Sequence, residues 1–228
     1  MKAMILAAGR GERMRPLTDT LPKPLLTVKG CSLIEHHLKA LAKAGFTNVV
    51  INHAWLGEKI VEQLGDGEKW QLNIHYSDES QGALETAGGI AKALSLLQSN
   101  DDADAPFLVV NGDVYTGFDF LELPKLSAKT SAHLWLVENP AHNPHGDFIL
   151  DNGFVCEKAE EDQSERFTFS GIAMYRPSFF SEVAAGNHEK LAPLIRKQAQ
   201  LGKVTGCLMQ QHWTDVGTPE RLQQLNNE

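Results

Sequence analysis

The stretch from Lys2 to Ala8 is a nearly continuous apolar run that stops at Gly9, the pattern of a strand buried on both faces. Ser32-Leu33-Ile34-Glu35 then has the form of a capping box. Apolar positions continue at helical spacing through Ile34, Leu38, Leu41 and Ala42, and Gly45 closes the predicted helix. Thr47 to Asn52 predicts a strand, Leu56 to Leu64 a helix, Leu72 to Tyr76 a strand, Ala87 to Leu97 a helix, and Phe107 to Val110 a fourth strand. Strands alternating with helices at this interval predict an α/β fold, a parallel sheet with helices on both faces.

After Asp113 the rhythm changes. Ser131 to Val137 alternates as a strand, and the pairs Asn139-Pro140 and Asn143-Pro144 mark a loop. Short strands are predicted at Gly146 to Leu150, Phe154 to Glu157 and Phe167 to Met174, helices at Pro177 to Ala184 and Leu191 to Leu201, and a last strand at Val204 to Gln210. Thr218-Pro219-Glu220 opens a final helix, with threonine as cap and proline in the first turn. The first half therefore reads as a nucleotide-type α/β unit and the second as a substrate lid.

The formal net charge of −8 excludes a broad nucleic-acid surface, which needs a dense basic face. Cys31, Cys156 and Cys207 lie far apart with no C-x-x-C spacing, so reduced thiols are expected rather than a disulfide framework or zinc site. No apolar run approaches membrane-spanning length, and the opening segment is too short for a signal sequence, so a cytoplasmic protein is expected.

Against this acidic background Arg10, Arg13, Arg15 and Lys23 crowd behind the first strand with Gly9 and Gly11. A glycine-rich turn at the carboxyl edge of a parallel sheet lets backbone N–H groups approach phosphate. The turn lacks the Gly-Lys-Ser/Thr of a Walker loop and the third glycine of a dinucleotide fingerprint, which leaves an anion loop carrying its own cations. A tight turn with solvated arginines remains the alternative. Pro22 and Pro24 are expected to hold the backbone at Lys23 extended and stiff. Asp113, after the strand Phe107 to Val110, and Asp215, in HWTDVG, are two hard oxygen ligands of the kind that hold Mg²⁺ beside phosphates; taken singly, each also suits a turn or cap. No G-x-S-x-G or H-E-x-x-H occurs, and the scattered histidines receive no role. Without an evident base, the arrangement suits transfer to a nucleophile that is already an anion, such as a sugar phosphate.

LAAGRGERMRPLT, PKPLL, NGDV and WTDVGTPERL, in this order and across nearly the whole chain, resemble the sugar-1-phosphate nucleotidyltransferases. The resemblance implies a Rossmann-like mixed, mainly parallel sheet plus a small sugar-binding lid. It also implies a single domain over 1–228, with a nucleotide half at 1–115 and a sugar half at 116–228. The implied reaction converts a nucleoside triphosphate and a sugar 1-phosphate into a nucleotide sugar and pyrophosphate. INHAWLG and LETAGGI are similar to the uridylyltransferase branch of peptidoglycan recycling, whose substrates are UTP and N-acetylmuramate 1-phosphate; mannose or glucose 1-phosphate with GTP or dTTP is the alternative, and a non-catalytic nucleotide-sugar sensor is another.

By the same resemblance Leu6, Ala8, Gly82 and Thr86 hold base and ribose. Gly9, Gly11, Glu12 and Arg13 wrap the triphosphate, with Arg13 stabilising the leaving pyrophosphate. Lys23 neutralises the α-phosphate, and Asp113 and Asp215 bind Mg²⁺, so that Arg13, Lys23 and Asp113 form the catalytic set. Asn111, Gly146, Asp147, Glu157, Ser170 and Gly171 fall in the sugar-binding segments. Glu12 stands where the family has threonine, Glu85 where it has glycine, and Ala159 where a proline follows the Glu-Lys pair, the last bearing on Lys158. A monomer is expected.

Overall fold

The apolar run at the N-terminus forms β1 (Ala3–Leu6), which ends up in the middle of the molecule because both of its faces are covered. In this computed structural model, residues 1–82, 84–157 and 165–228 are described. The chain continues through β2 (Thr27–Val28), β3 (Cys31–Ser32), α1 (Leu33–Lys43), β4 (Asn48–His53), α2 (Gly57–Leu64), β5 (Asn73–Asp78), α3 (Glu85–Leu97), β6 (Phe107–Asn111) and β7 (Val114–Thr116). It then forms β8 (Ala132–Val137), β9 (Phe148–Asp151), β10 (Phe154–Cys156), β11 (Arg166–Tyr175), α4 (Leu191–Gln200), β12 (Val204–Leu208), β13 (Trp213–Asp215) and α5 (Pro219–Asn227).

Nine strands make one sheet in the order β5-β4-β1-β6-β11-β8-β12-β10-β9. The first four are mutually parallel, as the alternation of strands and helices requires. β11 runs antiparallel between β6 and β8, and β12 lies parallel to β8, so the second half of the chain continues the sheet begun by the first. Alternate residues of β1 serve opposite layers. Ala3 and Ile5 pack with Leu38 and Leu41 of α1 and Ile60 of α2, while Met4 packs with Ile90 of α3 and Ile195 of α4.

The α1 capping box forms, with Ser32 N donating to Glu35 Oε2 at 3.2 Å. At the start of α5, Thr218 Oγ1 accepts from Arg221 N at 3.4 Å, with Pro219 inside the first turn. The helix expected over Pro177 to Ala184 is instead a single 3₁₀ turn, Pro177–Phe180. Phe179 and Phe180 are both buried, and Asp104 holds the turn through Ser178 N (2.8 Å) and Ser178 Oγ (3.0 Å).

Two small ribbons were not legible as strands: β2–β3, and β7–β13. Together with α5 they cover a third apolar cluster of Met14, Leu26, Val28, Leu33, Val216 and Leu225. Asn226 of α5 clamps the first ribbon, accepting from Lys29 N (2.8 Å) and donating to Thr27 O (3.1 Å). The three cysteines are free thiols, and among the described residues no helix is long and apolar enough to cross a membrane.

His133 on β8 is buried edge-on against Trp135, its Nδ1 2.9 Å from Thr205 Oγ1, and burial pulls its pKa from 6.5 down to about 4. The unfolded chain therefore binds a proton here below about pH 6.5 while the folded chain does not until about pH 4. The stability this residue contributes is full above pH 6.5 and is lost as pH falls through that window. Between pH 7 and pH 5 the loss is expected to be about 2 kcal/mol. Urea midpoints at the two pH values check this, and His133→Gln should show a correspondingly smaller pH dependence.

Candidate active site

The carboxyl ends of β1, β4 and β6 open on a cavity of about 640 Å³. The basic turn forms one wall. Gly11 takes a left-handed φ of +67°, and a Cβ there would lie 3.0 Å from Thr18 Cγ2 and 3.2 Å from Lys23 Cβ, so only glycine lets the turn fold back against Lys23. Two of the four cations are engaged elsewhere. Arg10 lies over the Trp55 ring at 4.8 Å, and Arg15 Nε binds Asp19 Oδ1 at 2.6 Å. Arg13 and Lys23 line the cavity, beside Leu6, Ala8, Gly9, Gly11, Glu12 and Thr86.

The backbone at Lys23 is not extended as expected. Pro22 is extended, but Lys23 opens a 3₁₀ turn closed by Leu25 N to Pro22 O at 2.9 Å, which turns Leu25 and Leu26 into the interior. Lys23 is 8% exposed, and its Nζ donates to Asp113 Oδ2 at 2.5 Å. Asp113 sits in the turn between β6 and β7. His37 of α1 is wholly buried near this turn; burial first, against the opposing backbone contact with Val114, drives its pKa down to about 4, so the imidazole stays neutral.

Asp215 lies opposite Val114 in the β7–β13 ribbon, and Val216 N donates to Asp113 O at 2.8 Å, so the turn carrying Asp113 is tied to the end of the strand carrying Asp215. Gly217, two residues beyond Asp215, lines the cavity. Asp215 Oδ2 accepts from Arg221 Nη1 at 2.5 Å. Its buried Oδ1 lies 2.9 Å from His142 Nε2 without an aligned donor among the described residues. Asp215 itself lines neither cavity, and its unfilled Oδ1 acceptor is of the kind that suits a hard divalent cation. Among the described residues no three acid, histidine or cysteine side chains form a metal cluster, so phosphate oxygens and water would have to complete the shell.

Across Asn111, Thr86 and Glu85 the main cavity adjoins a second one of about 320 Å³, also lined by Asp147, Phe148, Phe169, Lys190 and Arg196. Gly171 has φ +78°, and a Cβ there would fall 2.6 Å from Asn111 Nδ2, so this glycine gives Asn111 its place. Asp147 accepts from Phe169 N (2.8 Å) and Asn143 Nδ2 (3.2 Å). Glu85 adopts a left-handed φ of +58°, a costly conformation for a side chain-bearing residue, at the junction of the two cavities.

Other expected sugar and base residues stand elsewhere. Ser170 is buried, its Oγ donating to Trp135 O at 2.7 Å and its carbonyl accepting from Trp213 Nε1 at 2.8 Å, so its hydroxyl points into the core and lines neither cavity. Glu157 is exposed at the end of β10 and bonds Gln200, away from both cavities. Gly82 and Gly146 also line neither, and Lys158 is outside the described residues.

Sequence reasoning missed Asn52 and Glu79. Asn52 Oδ1 accepts from Ala7 N at 2.8 Å, its Nδ2 donates to Glu79 Oε1 at 2.7 Å, and Glu79 Oε2 accepts from Leu84 N at 3.1 Å. This buried chain ties the ends of β1, β4 and β5 to the start of α3. The only signal was a polar residue closing an apolar strand. Asn52→Ala would strand a buried donor and a buried acceptor, and is expected to destabilise the fold by about 2–4 kcal/mol in urea denaturation.

The nucleotidyl transferase family matches residues 2–228. A relative from Neisseria meningitidis, N-acetylmuramate alpha-1-phosphate uridylyltransferase, is 54% identical over 98% of this chain and 96% of its own. A mannose-1-phosphate guanyltransferase from Schizosaccharomyces pombe is 33% identical over 96% of this chain, which spans 62% of that longer protein. A crystal structure assigned as a glucose-1-phosphate thymidylyltransferase of Bacillus anthracis superposes with a TM-score of 0.83 at 24% identity, over 100% of this chain and 94% of its own. The basic glycine turn and Asp113 in the cavity at the sheet's carboxyl edge, with the family match over almost the full length, give one conclusion: this chain belongs to the nucleotidyl transferase family.

Proposed function

We propose that this protein transfers a uridylyl group from UTP to N-acetylmuramate α-1-phosphate, releasing UDP-N-acetylmuramate and pyrophosphate with the help of Mg²⁺, and that it does so as a monomer in the cytoplasm in peptidoglycan recycling. The reaction class rests on one observation, the buried Lys23 ammonium held by Asp113 in the wall of the nucleotide-sized cavity. The choice of substrates is supported by the Neisseria relative, 54% identical across nearly all of both chains.

In this mechanism the glycine turn and Arg13 receive the β- and γ-phosphates through backbone N–H groups and a guanidinium. The sugar phosphate, already an anion, attacks the α-phosphorus in line. Its oxygen forms the new P–O bond as the bond to the β-phosphate breaks and pyrophosphate departs with the electron pair. Lys23, fixed beforehand by its ion pair, offsets charge on the α-phosphate, and Arg13 offsets charge on the leaving group. No protein base is required. Asp113 and Asp215 would hold Mg²⁺, which when bound supplies Lewis-acid stabilisation of the phosphate oxygens. Asn111, shared by both cavities, is placed to orient the sugar phosphate.

Pyrophosphate release across a panel of nucleotides and sugar phosphates is expected to be fastest for UTP with N-acetylmuramate 1-phosphate; a clear preference for GTP with mannose 1-phosphate would sink the substrate assignment. Lys23→Ala and Asp113→Asn, checked for folding by circular dichroism, are each expected to lower kcat about 10²-fold or more. Chelation of divalent ions should abolish turnover and added Mg²⁺ restore it.

A further inference from the structure

We propose that Arg196 reads a carboxylate on the sugar and so selects acid-bearing amino-sugar phosphates over neutral ones; this inference rests on the substrate reading above. The second cavity adjoins the phosphate site through Asn111, so a sugar linked to the attacking phosphate has this space to enter. Its apolar wall is Phe148, Phe169, Leu191 and Ile195, a surface for ring and methyl carbons.

Arg196 projects into this cavity from α4. It is half-buried, its guanidinium carbon 5.7 Å from the centre of the Phe148 ring, and no acid pairs with it among the described residues. Asp147 and Glu85 are the acids on the same cavity; Asp147 already accepts from Phe169 N and Asn143, and neither pairs with Arg196. Lys197, the next residue on the helix, is by contrast exposed and paired with Glu182. Lys190, at the start of α4, adds a second cation to the cavity.

A neutral hexose would have no use for a half-buried guanidinium that no acid pairs with among the described residues. A lactyl carboxylate matches its planar fork, and stacking on Phe148 fixes the fork's position. Specificity of this kind is strong because a substrate lacking the acid leaves the donors unpaired.

The test compares kcat/KM for N-acetylmuramate 1-phosphate with that for N-acetylglucosamine 1-phosphate, the same sugar without the lactyl ether. In Arg196→Ala and Arg196→Gln the preference for the acid sugar is expected to fall about 10- to 100-fold, through KM, with the neutral sugar unaffected. Arg196→Lys should retain part of the preference, and Lys197→Ala all of it. A preference unchanged in Arg196→Ala and Arg196→Gln, or an equal loss on both sugars, overturns the inference alone. A wild-type enzyme that favours the neutral sugar overturns the substrate reading beneath it.

Discussion

Lys23 and Asp113 are 90 positions apart, and the 2.5 Å ion pair between them fixes the geometry on which the remaining site depends. One partner rides on the basic turn behind β1 and the other on the turn behind β6, so their contact presses that turn onto the open edge of the sheet. The pair is lopsided in exposure, with side chains 9% and 36% accessible. An ammonium so deeply placed needs its carboxylate partner, because burying it alone would be costly. The arrangement therefore keeps positive charge fixed in the wall of the cavity.

The surrounding elements divide the cations of the basic turn by task. Trp55 and Asp19 take Arg10 and Arg15 out of the cavity, and these contacts knit the turn to the segment before α2. Arg13 and Lys23 are left facing inward. On the far side, Asn52 and Glu79 hold the backbone of Ala7 and Leu84 by hydrogen bonds, so both rims of the cavity are fixed by buried polar contacts.

The parallel half of the fold was legible because its signals are local. An apolar run ended by glycine, a capping box with helical periodicity, and strands at regular intervals each constrain a few neighbouring residues, and together they permit few topologies. The position of the basic turn and of Asp113 at the carboxyl edge of the sheet was legible for the same reason. The ribbons β2–β3 and β7–β13 were not, since two- and three-residue strands carry no period and exist only through their partners. Ser170, expected at the sugar by resemblance alone, turns its hydroxyl inward for a related cause. Pairing of β11 with β8 shifts register between Phe169 and Ala173, so alternation fails to give the direction of a side chain inside that irregularity. Asn52 and Glu79 escaped notice because their importance lies in hydrogen bonds between distant segments, which no spacing records.

The clamp of Asn226 on Thr27 and Lys29 joins α5 to the segment just after Lys23. During vectorial synthesis, the ribosome must expose the chain at least as far as Asn226 before that segment gains its cover. The nascent polypeptide can thus build most of its sheet before the segment behind Lys23 gains that clamp.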